Sequence, residues 1–528
     1  QPNFLYFPHA TTNDPRRAEM WHLDQIKIDE AWDTTTGDPS VVVAVIDSGT
    51  LSDHPDLFGH VSEGYDFIAS ASNTDGDGID PDPEDSHPLE DVCDDGAAFY
   101  HGAHVSGTIG ATGDNEEGIV GVAYGARLMH LRALDGGCGG STYGIVQSLL
   151  YAIGAENDSG SVPDNPATIV NMSLGGGGSD NFFESTIDLA IQSGAIIVAS
   201  SGNSGSRTVS YPARYNGVIA VGSTGLDGEV PGYSNRGANL MLVAPGGGSG
   251  GEVLSLNKSA LGYVYAGASG TSMAAPHASG VFALMKSVHP NLTPQRLNGL
   301  ISAGVLTEDI GPTGFDEISG WGRIDAAKAI AVAVEDANGT FKMPARIVLS
   351  NNELYFGGIT TSTDVRITNP GDIGLTVSSI SVSDSWIQVS ESSDANLDEV
   401  GRWEVFVDRS DLPAGFYSGA VTFFGADDTG NSLSADLYVY LRVGKVGQGN
   451  LGSIEVAIRP TEGDKDIVVS SSTLENGYSY KAIVPEAGIY TVIAGTDVDN
   501  GGEICGVGDA CSTSSGETPQ EIDVTGPL

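Results

Sequence analysis

Between about residues 20 and 332 the chain alternates two textures, and that alternation narrows the folds open to it. Short runs rich in Val, Ile and Ala recur at 41–47 (VVVAVID), 127–134, 167–174, 195–200 and 217–223. Longer stretches with helical periodicity stand between or after them, at 102–111, 142–157, 182–194, 271–289 and 323–336. A strand that is apolar on consecutive residues is buried on both faces, as in a parallel sheet. Strand–helix alternation then predicts an α/β fold with a mostly parallel central sheet and helices on both faces. Sheets of this kind bind ligands at the carboxyl ends of their strands. Asp47 stands at such an end, directly after VVVAVI.

Beyond about residue 338 the texture changes. Segments 346–350, 353–358, 363–372, 376–382, 386–390, 403–410, 416–425 and 433–444 alternate apolar and polar residues between close turns. That pattern predicts a β-sandwich, and the segment resembles immunoglobulin-like modules appended to bacterial secreted enzymes. A Gly-rich stretch, GKVGQGNLG, leads to strand-like segments at 454–460, 478–484 and 489–497, which resemble small transthyretin-like β-modules. The expected organisation is an N-terminal arm at 1–19, an α/β domain at 20–337, and two small all-β sandwich domains at 338–446 and 450–528. At 528 residues, one hydrophobic core is too few.

Three distant segments carry chemistry: VVVAVIDSGT with Asp47, HGAHVSGTIG with His101, and GTSMAAPHASG with Ser272. A serine hydroxyl is a poor nucleophile near neutral pH and needs a base to take its proton. His101 is the candidate base, and a buried Asp47 would fix its tautomer and stabilise the imidazolium. Ser272 precedes an apolar helix, so backbone N–H groups at the helix start are available to a developing oxyanion. Taken singly, Asp47 reads as a strand-end cap and Ser272 as a helix cap. His104, His130 and His277 read as packed structural histidines. The order Asp, His, Ser, with these flanks, resembles the subtilisin-like serine proteases.

The resemblance covers about the first 335 residues, and its implications are concrete. Asn203, in IIVASSGNSG, would donate its amide to the tetrahedral oxyanion. Gly139, Gly140 and Ser141, together with Ser173, Leu174 and Gly175, would flank a peptide substrate bound as an added strand. Ser173, Leu174 and Gly175, with Ser200, Ser201 and Gly202 and with Ser210, Tyr211 and Pro212, would line a primary pocket without a carboxylate. An apolar or aromatic residue before the cut is expected. HGAHVSGT departs from the family pattern in having Ala where Thr is frequent and Ser where Ala is, and neither change removes a reacting group. QPNFLY at the start resembles the tail of an inhibitory pro-segment, and Gln1 suggests a processed form.

Calcium is the expected cofactor. A composite site in the resembling family would use Asp14, Asp56 and Asn115 here. A second region, NTDGDGIDPDPED, offers Asp75, Asp77, Asp80, Asp82 and Asp85 as oxygen donors for a hard cation. The four cysteines form an even set, read as disulfides Cys93–Cys138 and Cys505–Cys511. The CGG segment and Cys93 resemble a secreted bacterial subgroup with the first bond. Net charge is −46, from 69 acidic and 23 basic residues. Such a surface disfavours nucleic acid and anionic membrane and suits a saline, extracellular setting. No apolar run reaches the ~20 residues of a membrane helix. The expected protein is a secreted, calcium-stabilised, monomeric serine endopeptidase acting on proteins and inhibited by its own pro-segment. The rival is a silent surface-binding protein on the same fold.

Overall fold

The computed structural model describes residues 12–57, 59–61, 63–69, 78–86, 99–135, 139–176, 178–248, 250–312, 314–351, 353–356, 361–392, 400–413 and 415–443, and the strand residues 454–460, 467–472, 488–495, 511–512 and 520–524. Two compact units divide between Phe341 and Lys342.

In the first unit, helices α1 (Trp21–Gln25) and α2 (Ile28–Trp32) precede strand β1 (Val42–Asp47). Then follow β2 (Tyr65–Asp66), α3 (His101–Gly110), β3 (Arg127–Arg132), α4 (Thr142–Ala152), β4 (Ile169–Met172), α5 (Asn181–Gln192) and β5 (Ile196–Ser200). After these come β6 (Ile219–Thr224), β7 (Leu242–Pro245), the hairpin β8 (Val253–Ser259) and β9 (Gly262–Ala268), and α6 (Thr271–Val288). The unit closes with α7 (Pro294–Ser302), β10 (Thr307–Glu308), β11 (Arg323–Ile324) and α8 (Ala326–Ala337).

Nine strands form one sheet in the order β10-β11-β7-β6-β5-β4-β1-β3-β2. Every pairing is parallel except β10 with β11. β1 is buried along its whole length, as its unbroken apolar run requires. The order reverses beside β1: β3 lies on one side and β4 on the other. Open α/β sheets bind ligands at the carboxyl ends beside such a reversal. One core cluster gathers Val42, Ala44 and Ile46 with Leu149 of α4, Ile187 of α5 and Ala199 of β5.

The helix boundaries follow local chemistry. Ser141, Asp180, Thr293 and Asp325 each accept a backbone N–H with their side chains and start α4, α5, α7 and α8. Asp325 explains why the last helix begins at 326 and leaves Arg323–Ile324 as a short strand between β10 and β7. α6 is apolar around almost its whole circumference and is buried through Lys286. Among the described residues, no helix is long and apolar enough to cross a membrane.

The second unit holds β12 (Val348–Leu349), β13 (Glu353–Phe356), β14 (Ser362–Thr368), β15 (Leu375–Val382), β16 (Ile387–Glu391), β17 (Gly401–Val407), β18 (Gly415–Asp427) and β19 (Ser432–Val443). They form two four-stranded sheets, β12-β14-β17-β16 and β13-β19-β18-β15. Trp403, Val405, Phe423 and Val439 share one core between the sheets, from residues alternating inward along each strand. A further sheet contains β20 (Ile454–Pro460), β21 (Ile467–Ser472), β22 (Gly488–Gly495), β23 (Cys511–Ser512) and β24 (Gln520–Val524), all antiparallel. The mostly parallel α/β fold followed by small β-sheets matches the sequence expectation. The strand expected at 478–484 lies outside the described residues, as do Cys93, Cys138 and Cys505. Of the four cysteines, only Cys511 is placed, opposite Gly495.

Candidate active site

Asp47 ends β1 and is fully buried. Its Oδ1 lies 2.7 Å from His101 Nδ1 and accepts the Ser48 N–H at 2.8 Å. Asp47 Oδ2 makes no hydrogen bond among the described residues. His101 is the first residue of α3, and its side chain is 23% exposed, so the ring is not sealed from solvent. Burial works against the imidazolium. The charge and hydrogen bond of Asp47, followed by the charge of Asp85, outweigh that penalty and raise the His101 pKa above its ordinary value. With Nδ1–H turned to Asp47, Nε2 is the atom left to accept a proton.

Ser272 is the second residue of α6. Its backbone N–H lies in the first turn, where no intrahelical acceptor exists. Pro276, four residues on, has no N–H to give the Ser272 carbonyl. That carbonyl instead accepts Ser173 Oγ at 2.8 Å. In return Ser272 Oγ donates to the Ser173 carbonyl at 3.1 Å. Ser173 therefore holds the serine turn from the end of β4. The hydroxyl is thus directed to the Ser173 carbonyl.

Asn203 follows β5. Its Oδ1 accepts both the Thr271 N–H and the Thr271 hydroxyl, each at 2.8 Å. With the oxygen doubly engaged, the amide Nδ2 is the group presented for donation. Thr271 thus orients Asn203, a role invisible to motif reading because 68 residues separate them. Asn235 is a second residue that sequence reasoning missed. Its Oδ1 accepts from Ser204 N, Ser204 Oγ and Ser206 N, and its amide donates to Ser210 Oγ. It fastens the loop that carries Asn203.

The three expected pocket segments meet. Ser210 N donates to Ser201 O, Gly176 N donates to Tyr211 O, and Ser200 Oγ reaches Leu174 O at 3.4 Å. No carboxylate appears in these contacts. On the other flank, Gly140 bridges Leu134, and Gly139 O accepts the Asp135 N–H. Ser141 accepts the Gly144 N–H with its hydroxyl oxygen and so caps α4. His104, His130 and His277 are fully buried, and burial first of all lowers their pKa values to about 3, about 3 and about 4. They are neutral packing groups, as expected.

The composite cation residues also converge. Asp14 and Asp56 are buried, and Asn115 Nδ2 donates to Asp56 Oδ1 at 2.9 Å. Asp14 accepts the N–H groups of Asp114 and Asn115, and Asp56 Oδ2 accepts that of Ile119. Neither carboxylate has an ion pair among the described residues. Two buried carboxylates without a counter-ion, linked through Asn115, suit a hard cation. No cluster of three or more His, Cys, Asp or Glu that could hold a metal occurs among the described residues.

In the second acidic region, Asp75 and Asp77 lie outside the described residues. Asp80 Oδ1 accepts the Asp82 N–H and Asp82 Oδ1 that of Glu84. Asp85 is buried and turned away from the loop, toward Ser48.

The subtilase family model matches residues 38–322, more than half of the chain, and the chain belongs to that family. It is 38% identical over 382 residues to an extracellular basic protease of Dichelobacter nodosus, covering 66% of this chain and 61% of that protein. It is 36% identical over 323 residues to a halolysin of Haloferax mediterranei, covering 61% of this chain and 54% of that one. Among solved structures, a protease of Pseudoalteromonas arctica superposes with a TM-score of 0.56 at 37% identity, over 61% of this chain and all of that one. The matches thus span less than two thirds of the length of these curated relatives.

Proposed function

We propose that this chain is an extracellular serine endopeptidase whose nucleophile is Ser272, whose base is His101 and whose orienting carboxylate is Asp47. The 2.7 Å bond between His101 and buried Asp47, at the sheet's switch point, carries the reading. Ser272 Oγ attacks the scissile carbonyl carbon and gives its proton to His101 Nε2. The oxyanion receives hydrogen bonds from Asn203 Nδ2 and the Ser272 N–H. As the tetrahedral species collapses, His101 returns the proton to the leaving amine. Water then attacks the acyl-enzyme by the same route and frees Ser272.

The pocket built from Ser173–Gly175, Ser200–Gly202 and Ser210–Pro212 lacks a carboxylate, which supports an apolar or aromatic residue before the cut. Asp14, Asp56 and Asn115 would hold a structural calcium ion, which supplies the positive charge that two buried carboxylates lack. The halolysin relative and the net charge of −46 support a salt-adapted surface. The boundaries at 1–19, 20–337, 338–446 and 450–528 remain our division of the chain. The β-modules are assigned to docking on substrate or surface, or to removal in maturation. The proposed pro-segment inhibitor and monomeric state complete the reading.

Casein hydrolysis and cleavage-site profiling with a peptide library test it. Activity lost in Ser272→Ala, with cuts after apolar residues, is expected. Undiminished hydrolysis by Ser272→Ala refutes the mechanism, and cuts chiefly after Lys or Arg refute the pocket.

A further inference from the structure

The start of α3 lacks a cap from its own chain neighbour: Tyr100 offers no side-chain acceptor there. The missing acceptor comes from the residue that follows β1. Ser48 Oγ accepts the Gly102 N–H at 3.0 Å and donates its proton to Asp85 Oδ2 at 2.8 Å. We propose that Asp85, acting through Ser48, is a positioning residue for His101, clamping the N-terminus of α3 to the strand end that carries Asp47.

A hydroxyl has one proton and two lone pairs, so its donor direction sets where its lone pairs point. With the proton committed to Asp85, a lone pair faces the Gly102 N–H. His101 is adjacent to Gly102, and Asp47 is adjacent to Ser48. The Asp47–His101 contact is therefore one of two ties between the same pair of backbone segments. Ser48 and Asp85 are both buried, at 0% and 2% exposure, so water competes little for these bonds.

The backbone is built for this approach. A Cβ on Gly102 would collide with the Gly49 carbonyl oxygen. Gly49 has φ +107°, and a Cβ there would lie 2.6 Å from Pro83 O and 3.0 Å from Asp85 N. Thr50 N donates to Pro83 O, and Asp85 N donates to Thr50 O. Residues 83–85 thus lie along the turn after β1 as a short parallel bridge, which sets Asp85 beneath Ser48. We accordingly take Asp85 out of the acidic loop's set of cation donors.

This inference rests on His101 being the base, and the test separates the two. Ser48→Ala, Ser48→Thr, Asp85→Asn and Asp85→Ala are assayed in the full chain for kcat and KM on a chromogenic peptide. Rates are counted per site titrated by a fluorophosphonate, so that unfolded protein does not enter. Misplacing a catalytic group by a fraction of an ångström to an ångström costs on the order of tenfold to hundredfold in rate. Ser48→Ala and Asp85→Ala are expected to lose about that much in kcat, with KM within about twofold. Ser48→Thr, which keeps the hydroxyl, restores most of the rate, and Asp85→Asn, which keeps an acceptor, loses less than Asp85→Ala. An unchanged kcat per titrated site in Ser48→Ala overturns the proposal. If Ser48→Ala yields no folded protein, Asp85→Ala decides, and an unchanged kcat there overturns it. Full activity in His101→Ala instead refutes the underlying mechanism.

Discussion

Replacing Asn203 by Ala separates transition-state stabilisation from binding. In the folded protein Asn203 Oδ1 holds two donors from Thr271, at 2.8 Å each. Those bonds exist whether or not substrate is present, so losing them lowers stability by about 1 kcal/mol each and leaves catalysis untouched directly. Nδ2 is different. It meets a full negative charge only once the carbonyl oxygen becomes an oxyanion, so its bond strengthens as the barrier is climbed. Losing one such donor costs roughly 2.7–4 kcal/mol, or about 10²–10³ in kcat; this is the magnitude known for the matching donor in subtilisin, a member of this family, and is not computed from these distances. The structure adds the partition. Asn203→Ala is expected to lower kcat by that factor with KM within about twofold, and to lower the melting temperature slightly. Thr271→Val keeps the N–H bond to Oδ1 but loses the hydroxyl one, so its kcat falls by much less. Steady-state kinetics on one chromogenic peptide decide the matter. A loss in KM alone, or an unchanged kcat, refutes the assignment of Nδ2 to the oxyanion.

Three further outcomes follow from the same geometry. His101 must be neutral to act as base, and its pKa is raised, so kcat/KM should climb as pH rises through a value above 6.5. Asp47→Asn should move that limb down and cut kcat by about 10⁴, whereas an unshifted limb would contradict the pairing. His104, His130 and His277 are held neutral by burial with pKa values of about 3, 3 and 4. Their folded values lie below the unfolded one, so stability is level above about pH 6.5 and falls as pH drops from there toward 4, by about 1.4 kcal/mol per pH unit for each. A urea midpoint that stays flat from about pH 6.5 to about 4.5 would oppose this. Excess chelator should lower the melting temperature and speed autolysis if Asp14, Asp56 and Asn115 hold calcium, and an unchanged melting temperature counts against the site.

Much of this was legible in the sequence because its signals are local. The unbroken apolar run of β1 announced a strand buried on both faces, and the run after Ser272 announced α6. The proposed catalytic residues stand in short motifs, and the structure brings Asp47 and His101 together. The hairpin β8–β9 and the helices α1, α2 and α7 carried weaker local signals and went unread. The ties that hold the site were hidden for a different reason. Ser48 meets Asp85 across 37 residues, Thr271 meets Asn203 across 68, and Asn235 meets Ser204 across 31. Each bond joins segments far apart in the chain, and only the tertiary fold brings them together. For the same reason Asp85 read only as part of an acidic loop, and its hydrogen bond from Ser48 was not foreseen.

The most direct test of the account is covalent. A fluorophosphonate reacts with a serine hydroxyl only where a base takes its proton and an oxyanion site receives the phosphonyl oxygen. The intact protein should gain one phosphonyl group, mapped by mass spectrometry to Ser272, and His101→Ala should abolish the labelling. Labelling at another residue, or labelling of Ser272 that persists at the same rate in His101→Ala, would contradict the assigned nucleophile and base.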